Sequence, residues 1–156
     1  MEKFLENLRE SEKIIKTADH IIYVTLPLVK DKRLLLKMLQ EIKEAVVKSI
    51  NALLQYEYLF KRIRLSKNAR TNFKTFEEKC APKYEIKEKE LELILELLNL
   101  TERHKKSPME FVRDNKIVIM SQNLETRIVT IEKVKEFLQL AKDLLKKIKE
   151  GIQNQR

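Results

Sequence analysis

The chain has 156 residues, of which 43% are hydrophobic and 37% are charged, a mixture that excludes a disordered protein. One glycine and three prolines are too few for the many turns of a β-rich architecture, so the composition favours helices. The net charge of +9 is uneven, because residues 61–83 contain eight basic and only two acidic residues, which indicates a basic surface in one region.

The first predicted helix covers about residues 2–26. Its apolar and small side chains recur at alternating steps of four and three, which is the spacing of one helical face. The residues of this face are Phe4, Leu8, Ser11, Ile15, Ala18, Ile22 and Thr25. Pro27 disfavours helical geometry at Leu26 and therefore predicts the end of the helix.

The second predicted helix is the longest and covers about residues 31–63, with Asp31 as a candidate N-cap. Its apolar face repeats the same spacing, and no glycine or proline interrupts it. That face consists of Leu35, Leu39, Ile42, Val46, Ser49, Leu53, Tyr56, Phe60 and Ile63. A helix of this length is a rod of roughly 50 Å, at about 1.5 Å per residue.

A connection follows at residues 64–85, and it is predicted to contain a short extra helix around residues 69–80. Phe73 and Phe76 would dock this helix, and Pro82 would stop it.

The third predicted helix covers about residues 87–105 and carries leucine and isoleucine over more than half of its circumference. Such a broad apolar surface predicts contacts on two sides, one of them with another subunit. The next residues, Ser107, Pro108, Met109 and Glu110, form a capping-box pattern with proline at the first helical position. They predict a new helix start and hence a break in the third helix near Ser107-Pro108.

Residues 117–120 form a short apolar run that fits either a buried helical segment or a strand. We expect a compact buried segment without a sheet.

The last helix is predicted from about Thr130, an N-cap candidate, with Gly151 marking the fraying of its end. Four main helices with mostly short links predict an all-α, antiparallel four-helix bundle that forms one domain over residues 1–156.

Motifs of the common enzyme classes are missing from this sequence. A single glycine excludes glycine-rich phosphate loops, and one cysteine with two histidines excludes zinc fingers and HExxH sites. We therefore expect no catalytic residues, no cofactor and no metal. The single cysteine, Cys80, favours the cytoplasm, and the longest apolar run, residues 21–29, is too short to span a bilayer.

One candidate anion site surrounds the predicted helix start at Ser107, where free backbone N–H groups and the helix dipole would favour an anion. Its residues are His104, Lys105, Lys106, Ser107 and Arg113. The alternative is that Ser107 and Glu110 only cap the helix while the lysines are solvated.

The best candidate for nucleic-acid binding is the basic connection, because phosphate contacts require lysine and arginine. Its candidate residues are Lys61, Arg62, Arg64, Lys67, Arg70 and Lys74. Phe73 could stack on a base, and the alternative is a solvated surface with the phenylalanines turned into the core.

Two segments resemble the opening helix pair of the HEPN superfamily, antiparallel four-helix bundles often linked to nucleic-acid biology. They are residues 18–23, ADHIIY, and residues 51–54, NALL, with Ala45 before the second. Residues 104–113, HKKSPMEFVR, are also similar to small archaeal helical proteins. HEPN ribonucleases carry an Arg, then four to six residues, then a His. Arg103 and His104 are adjacent here, and no Arg lies at that distance before His20, so the resemblance implies a non-catalytic member.

The leading functional prediction is a non-enzymatic module that oligomerises, with a dimer favoured, or binds a partner. The alternative is an RNA- or nucleotide-binding protein that uses residues 61–83 and the Ser107 helix start. A degenerate HEPN-like nuclease is the third hypothesis. None of the three requires a membrane.

Overall fold

The computed structural model describes residues 2–29, 33–106, 109–113, 116–120 and 126–155. They form, in chain order, α1 (Glu2–His20) with a π-helical turn (Ile21–Thr25), α2 (Arg33–Leu59), α3 (Ala69–Thr75) with a second π-helical turn (Phe76–Cys80), α4 (Glu88–Lys106), β1 (Met109–Arg113), β2 (Lys116–Met120), β3 (Thr126–Thr130) and α5 (Ile131–Asn154). The predicted, predominantly helical class is confirmed, as is the short extra helix after the second long one.

The core lies among the four long helices. α1 packs along α2, α5 packs against both, and α4 contacts α2 and α5. The largest fully buried side chains come from every one of these helices: Phe4, Leu35, Met38, Leu39, Ile42, Leu53, Tyr56, Ile94, Leu97 and Phe137. Because apolar residues recur on one stripe of each helix, burying those stripes together removes them from water.

Polar contacts between neighbouring helices show the relative direction in which these helices run. Between α1 and α2, Asn7 donates to Gln55 at 2.9 Å and the buried Ser11 and Ser49 hydroxyls are 2.7 Å apart. Ascending positions on α1 thus meet descending positions on α2, so the two helices are antiparallel. Ion pairs between α4 and α5 show the same relation, since Glu96 pairs with Lys133 and Glu90 with Lys147.

The first and second helices match their predicted positions closely, although α2 ends four residues before the predicted boundary. The predicted N-cap, Asp31, lies outside the described residues. α2 ends because Lys61 adopts a left-handed conformation with φ of 59°, and the N–H of Arg62 then returns to the carbonyl of Glu57 at 3.0 Å. Such a residue after the last turn is a common helix terminator.

The three strands form an antiparallel sheet in the order β1-β2-β3. In its register Phe111 is opposite Val118, and Val118 is opposite Ile128. The expectation that residues 117–120 form no sheet was therefore wrong. β-branched residues favour strands, and pairing on both sides satisfies the backbone of β2 in a way that the short run alone does not reveal.

The predicted helix start at Ser107 was also wrong. α4 ends at Lys106, next to the predicted break, but the chain continues as β1 from Met109, so the capping-box pattern does not begin a helix. Ser107 and Pro108 themselves lie outside the described residues. Strand pairing with β2 outweighs this local signal, because all five residues of β1 are in register with β2 and the backbone groups that face β2 are hydrogen-bonded.

The last helix begins as predicted. The hydroxyl of Thr130 accepts a hydrogen bond from the N–H of Lys133 at 3.1 Å, which is the N-cap interaction. Gly151 does not mark fraying, because α5 continues to Asn154. Instead the ring of Tyr84 lies directly over Gly151, where a Cβ atom would overlap it. Along the described part of the chain, no helix has the length and apolar character needed to cross a membrane.

Candidate nucleic-acid interface

The connection between α2 and α3 forms a concave surface of about 350 Å³, here called the basic groove. It is lined by Lys61, Arg62, Ile63, Arg64, Leu65, Ser66, Thr71, Thr75 and Lys79. Four of these side chains are cationic, three carry hydroxyls and none is acidic. Such a lining provides charge and hydrogen-bond donors for a phosphate group, and it contains no carboxylate to repel one.

The loop that contributes Ser66 to the basic groove is held by Asn72 and Asn68. The side-chain oxygen of Asn72 accepts from the N–H of Ser66, and its amide donates to the Ser66 carbonyl, both at 2.8 Å. Asn68 caps α3 by accepting from the N–H groups of Arg70 at 2.9 Å and Thr71 at 3.4 Å. These bonds tie residues 66–68 to the first turn of α3, which fixes Ser66 relative to Thr71.

Arg62, which lines the basic groove, contacts the carboxylate of Glu57, which is buried, with only 2% of its surface exposed. Arg62 donates to it at 2.9 Å, and the ammonium of Lys83 is 2.8 Å away. Burial raises the pKa of Glu57, but stabilisation of the carboxylate by Lys83, Arg62 and Tyr84 outweighs burial and leaves the pKa below its ordinary value. Arg62 also donates to Gln155 at 2.5 Å, so the ends of α2 and α5 are joined. We call these residues the Glu57 cluster.

The structure separates the six predicted nucleic-acid contacts. Lys61, Arg62 and Arg64 line the basic groove. Arg62 donates hydrogen bonds to Glu57 and Gln155. Lys67 is exposed in the loop, whereas Arg70 lines a different groove on the other side of α3. Lys74 is exposed and lies 3.9 Å from Glu78, a surface pair of little consequence.

The sequence interpretation missed Thr71, Thr75 and Lys79. These residues recur at every fourth position, which places them on one side of α3 and its π-helical continuation, and this spacing could have identified them. Phe76 is buried as predicted, and Phe73 is half-buried 5.7 Å from its ring. Lys61, Arg64 and Lys79 have no carboxylate within ion-pair distance among the residues that the structure describes.

The candidate anion site is not assembled around a helix N-terminus. His104, Lys105 and Lys106 occupy the last turn of α4, and Arg113 ends β1. The C-terminal end of a helix carries the negative end of its dipole, so it favours these cations and disfavours an anion. Ser107 and the side chains of the other four residues lie outside what the structure describes.

Other reactive groups do not form a site in the described segments. No group of three or more His, Cys, Asp and Glu side chains there could hold a metal ion. His20 is exposed on α1. Cys80 is buried, and burial raises the pKa of its thiol to about 11, which leaves it protonated and unreactive at neutral pH.

Comparison with protein-family models gave no match. Comparisons with curated proteins and with solved structures gave none either.

Proposed function

We propose that this protein binds the phosphate backbone of RNA through the basic groove. The observation that carries the proposal is the lining itself, with three hydroxyls, no carboxylate and four cations in one concave surface, of which Lys61, Arg64 and Lys79 are not paired with a described carboxylate and Arg62 is paired with Glu57. Phosphate recognition uses these groups, and it is not specific for base sequence. The regional charge of residues 61–83 adds a favourable potential around the groove.

A rigid frame supports this role. The Glu57 cluster joins the ends of α2 and α5 to Lys83, and Arg62, paired with Glu57, holds the chain between Lys61 and Arg64 before any ligand arrives. Preorganised cations lose less conformational entropy on binding than freely rotating ones. The proposal includes a single antiparallel four-helix-bundle domain as scaffold, supported by the antiparallel pairs α1–α2 and α4–α5, and a cytoplasmic location, supported by the low cysteine content of the sequence.

The test is fluorescence anisotropy with a labelled uridine 12-mer at several salt concentrations. Each phosphate contact to a single strand contributes about 0.7 to the slope of log affinity against log salt. The triple variant Lys61→Ala, Arg64→Ala, Lys79→Ala should therefore lower the slope by about 2 and weaken binding at least tenfold.

A matched control removes three exposed lysines elsewhere, Lys37, Lys89 and Lys146, and so makes the same change in net charge. The control should retain most of the affinity. Equal loss in both triple variants would show that only net charge matters, and absence of salt-sensitive binding in the wild-type protein would refute the proposal.

Self-association is the second candidate function, favoured by an exposed apolar surface after α1. Tyr23 and Val24 are about half exposed, Leu28 is 80% exposed, and Val29 continues the surface. A second copy of the chain would cover these side chains, since apolar surface is costly to leave in water. Light scattering tests this: the wild-type protein should have the mass of a dimer, Leu28→Lys that of a monomer, and a monomeric wild-type protein would exclude it.

A further inference from the structure

A second groove lies on the other side of α3, between α2, α3 and α4, with a volume of about 590 Å³. Its walls are mostly apolar and include Ile50, Leu54, Phe73 and Leu98. The polar part of the lining consists of Lys43, Asn51, Arg70, Asn72, Asn99 and Glu102. A concave, mostly apolar site of roughly 300–1,000 Å³ with a few placed polar groups is typical for a small organic ligand.

Two of the polar groups are the side-chain amides of Asn51 on α2 and Asn99 on α4, so this second groove is called the amide groove. Both side chains are exposed, and neither has a hydrogen-bond partner among the described residues. Asn72 also lines the groove, but its side-chain amide is hydrogen-bonded to the backbone of Ser66. An amide offers two donors and an acceptor in one plane, which matches the edge of a nucleobase.

The amide groove and the basic groove are separated only by α3. Thr71 and Thr75 line the basic groove, whereas Arg70 and Phe73 line the amide groove. A helix with its side chains is about 10–12 Å across, so a flexible strand can cross it and contact both surfaces. Arg70 stands at this crossing and carries a charge suited to the phosphate between them.

We infer that the amide groove holds an unpaired nucleobase of the same RNA strand whose phosphates occupy the basic groove. The inference rests on the proposed function and extends it, because it selects single-stranded over duplex RNA. The base would pack against Phe73 and accept or donate hydrogen bonds at Asn51 and Asn99.

A helix from a second copy fits this groove less well than a base does. An apolar helix face would cover Asn51 and Asn99 without satisfying them, and each unsatisfied amide disfavours burial. A planar heterocycle offers both an apolar face for Phe73 and a polar edge for the amides, so its chemistry matches the whole lining.

The experiment compares a uridine 12-mer with an abasic 12-mer that has the same number of phosphates. Stacking and edge contacts of one base should make the uridine strand bind about tenfold more tightly to the wild-type protein. In the variant Asn51→Ala, Asn99→Ala that preference should fall to about twofold or less, with the salt slope unchanged. The control variant Gln153→Ala, Asn154→Ala removes two amides from the end of α5 and should keep the preference.

A second readout does not depend on these variants. A 4-thiouridine 12-mer, irradiated on the wild-type protein and digested with trypsin, should crosslink to Phe73 in the peptide of residues 71–74, which is bounded by Arg70 and Lys74. Crosslinks confined to other peptides would overturn the inference.

The outcomes separate the two proposals. Equal, salt-sensitive binding of both strands would refute the amide-groove inference and leave the basic groove standing. Lack of salt-sensitive binding for either strand would refute the proposed function itself. A change in the mass of the free protein on substituting Asn51 and Asn99 would show that a second copy occupies the groove.

Discussion

Replacing Glu57 with glutamine removes the one buried carboxylate of the Glu57 cluster while keeping its shape. The substitution converts two charge-assisted contacts, to Arg62 at 2.9 Å and to Lys83 at 2.8 Å, into neutral ones at best. Hydrogen bonds to charged groups contribute about 1.5–3 kcal/mol each to stability, against about 1 kcal/mol for neutral ones.

Two effects reduce the loss. The neutral amide is less costly to bury than the carboxylate, and both cations can be rehydrated, because Arg62 is 38% and Lys83 39% exposed. The free energy of unfolding should therefore fall by about 2 kcal/mol, which for a domain of this size corresponds to about 4–8 °C in Tm.

Urea unfolding followed by circular dichroism measures this change, with Glu78→Gln as the matched control. Glu78 is exposed and its partner Lys74 is 3.9 Å away, so its removal should change stability by less than about 0.5 kcal/mol. Equal stability of Glu57→Gln and the wild-type protein would refute the argument that the buried carboxylate anchors α2.

The pH dependence gives an independent check on the same residue. The folded-state pKa of Glu57 lies below its ordinary value of 4.5, so its stabilising contribution is present above pH 4.5 and is lost as the pH falls through the lower, folded-state pKa. The difference between the wild-type protein and Glu57→Gln should be complete at pH 7 and shrink below pH 4.5. A difference that grows on acidification would contradict this sign.

Three further predictions concern single side chains. Gly151→Ala should lower the free energy of unfolding, measured by urea denaturation, by about 1 kcal/mol. Overlap of the new Cβ atom with the buried Tyr84 ring costs about 1–3 kcal/mol, which exceeds the gain of about 1 kcal/mol in helix propensity. A stabilised variant would show that the Tyr84 ring moves aside at little cost. Cys80 should resist a thiol reagent at pH 8 in the native protein and react within the mixing time in denaturant, and rapid native labelling would show that its site opens. Asn72→Ala should speed hydrogen exchange at the amide of Ser66 and leave exchange in the centre of α2 unchanged, whereas unchanged exchange at Ser66 would show that Asn72 does not hold the loop.

Local patterns were sufficient to predict the long helices. The seam of α2, from Leu35 to Tyr56, is apolar at regular steps, and its residues are buried as that spacing requires. Thr130 was identifiable as an N-cap because a threonine before a periodic segment can accept from the first turn. In both cases the determining contacts lie within a few residues of one another.

The failures involve contacts between residues distant in sequence. Whether residues 117–120 form a strand depends on β1 and β3, and no four-residue window contains that information. Glu57 was unremarkable in sequence, because its burial depends on Lys83 and Gln155 arriving from other elements. Residues 61–83 were recognised as basic from their composition, but the division of their cations between two grooves depends on where α3 packs.

The hydroxyl pair of Ser11 and Ser49 determines the register in which α1 packs against α2. Apolar seams with similar side chains at every turn are tolerant of sliding, and a slip of one turn, about 5.4 Å, would still bury much of the same area. In that slipped hairpin Ser11 would lose both Ser49 and the carbonyl of Ala45, to which it donates at 2.9 Å. Each orphaned group would cost about 1–3 kcal/mol, so two small polar residues select one alignment of α1 and α2 from several of nearly equal apolar contact.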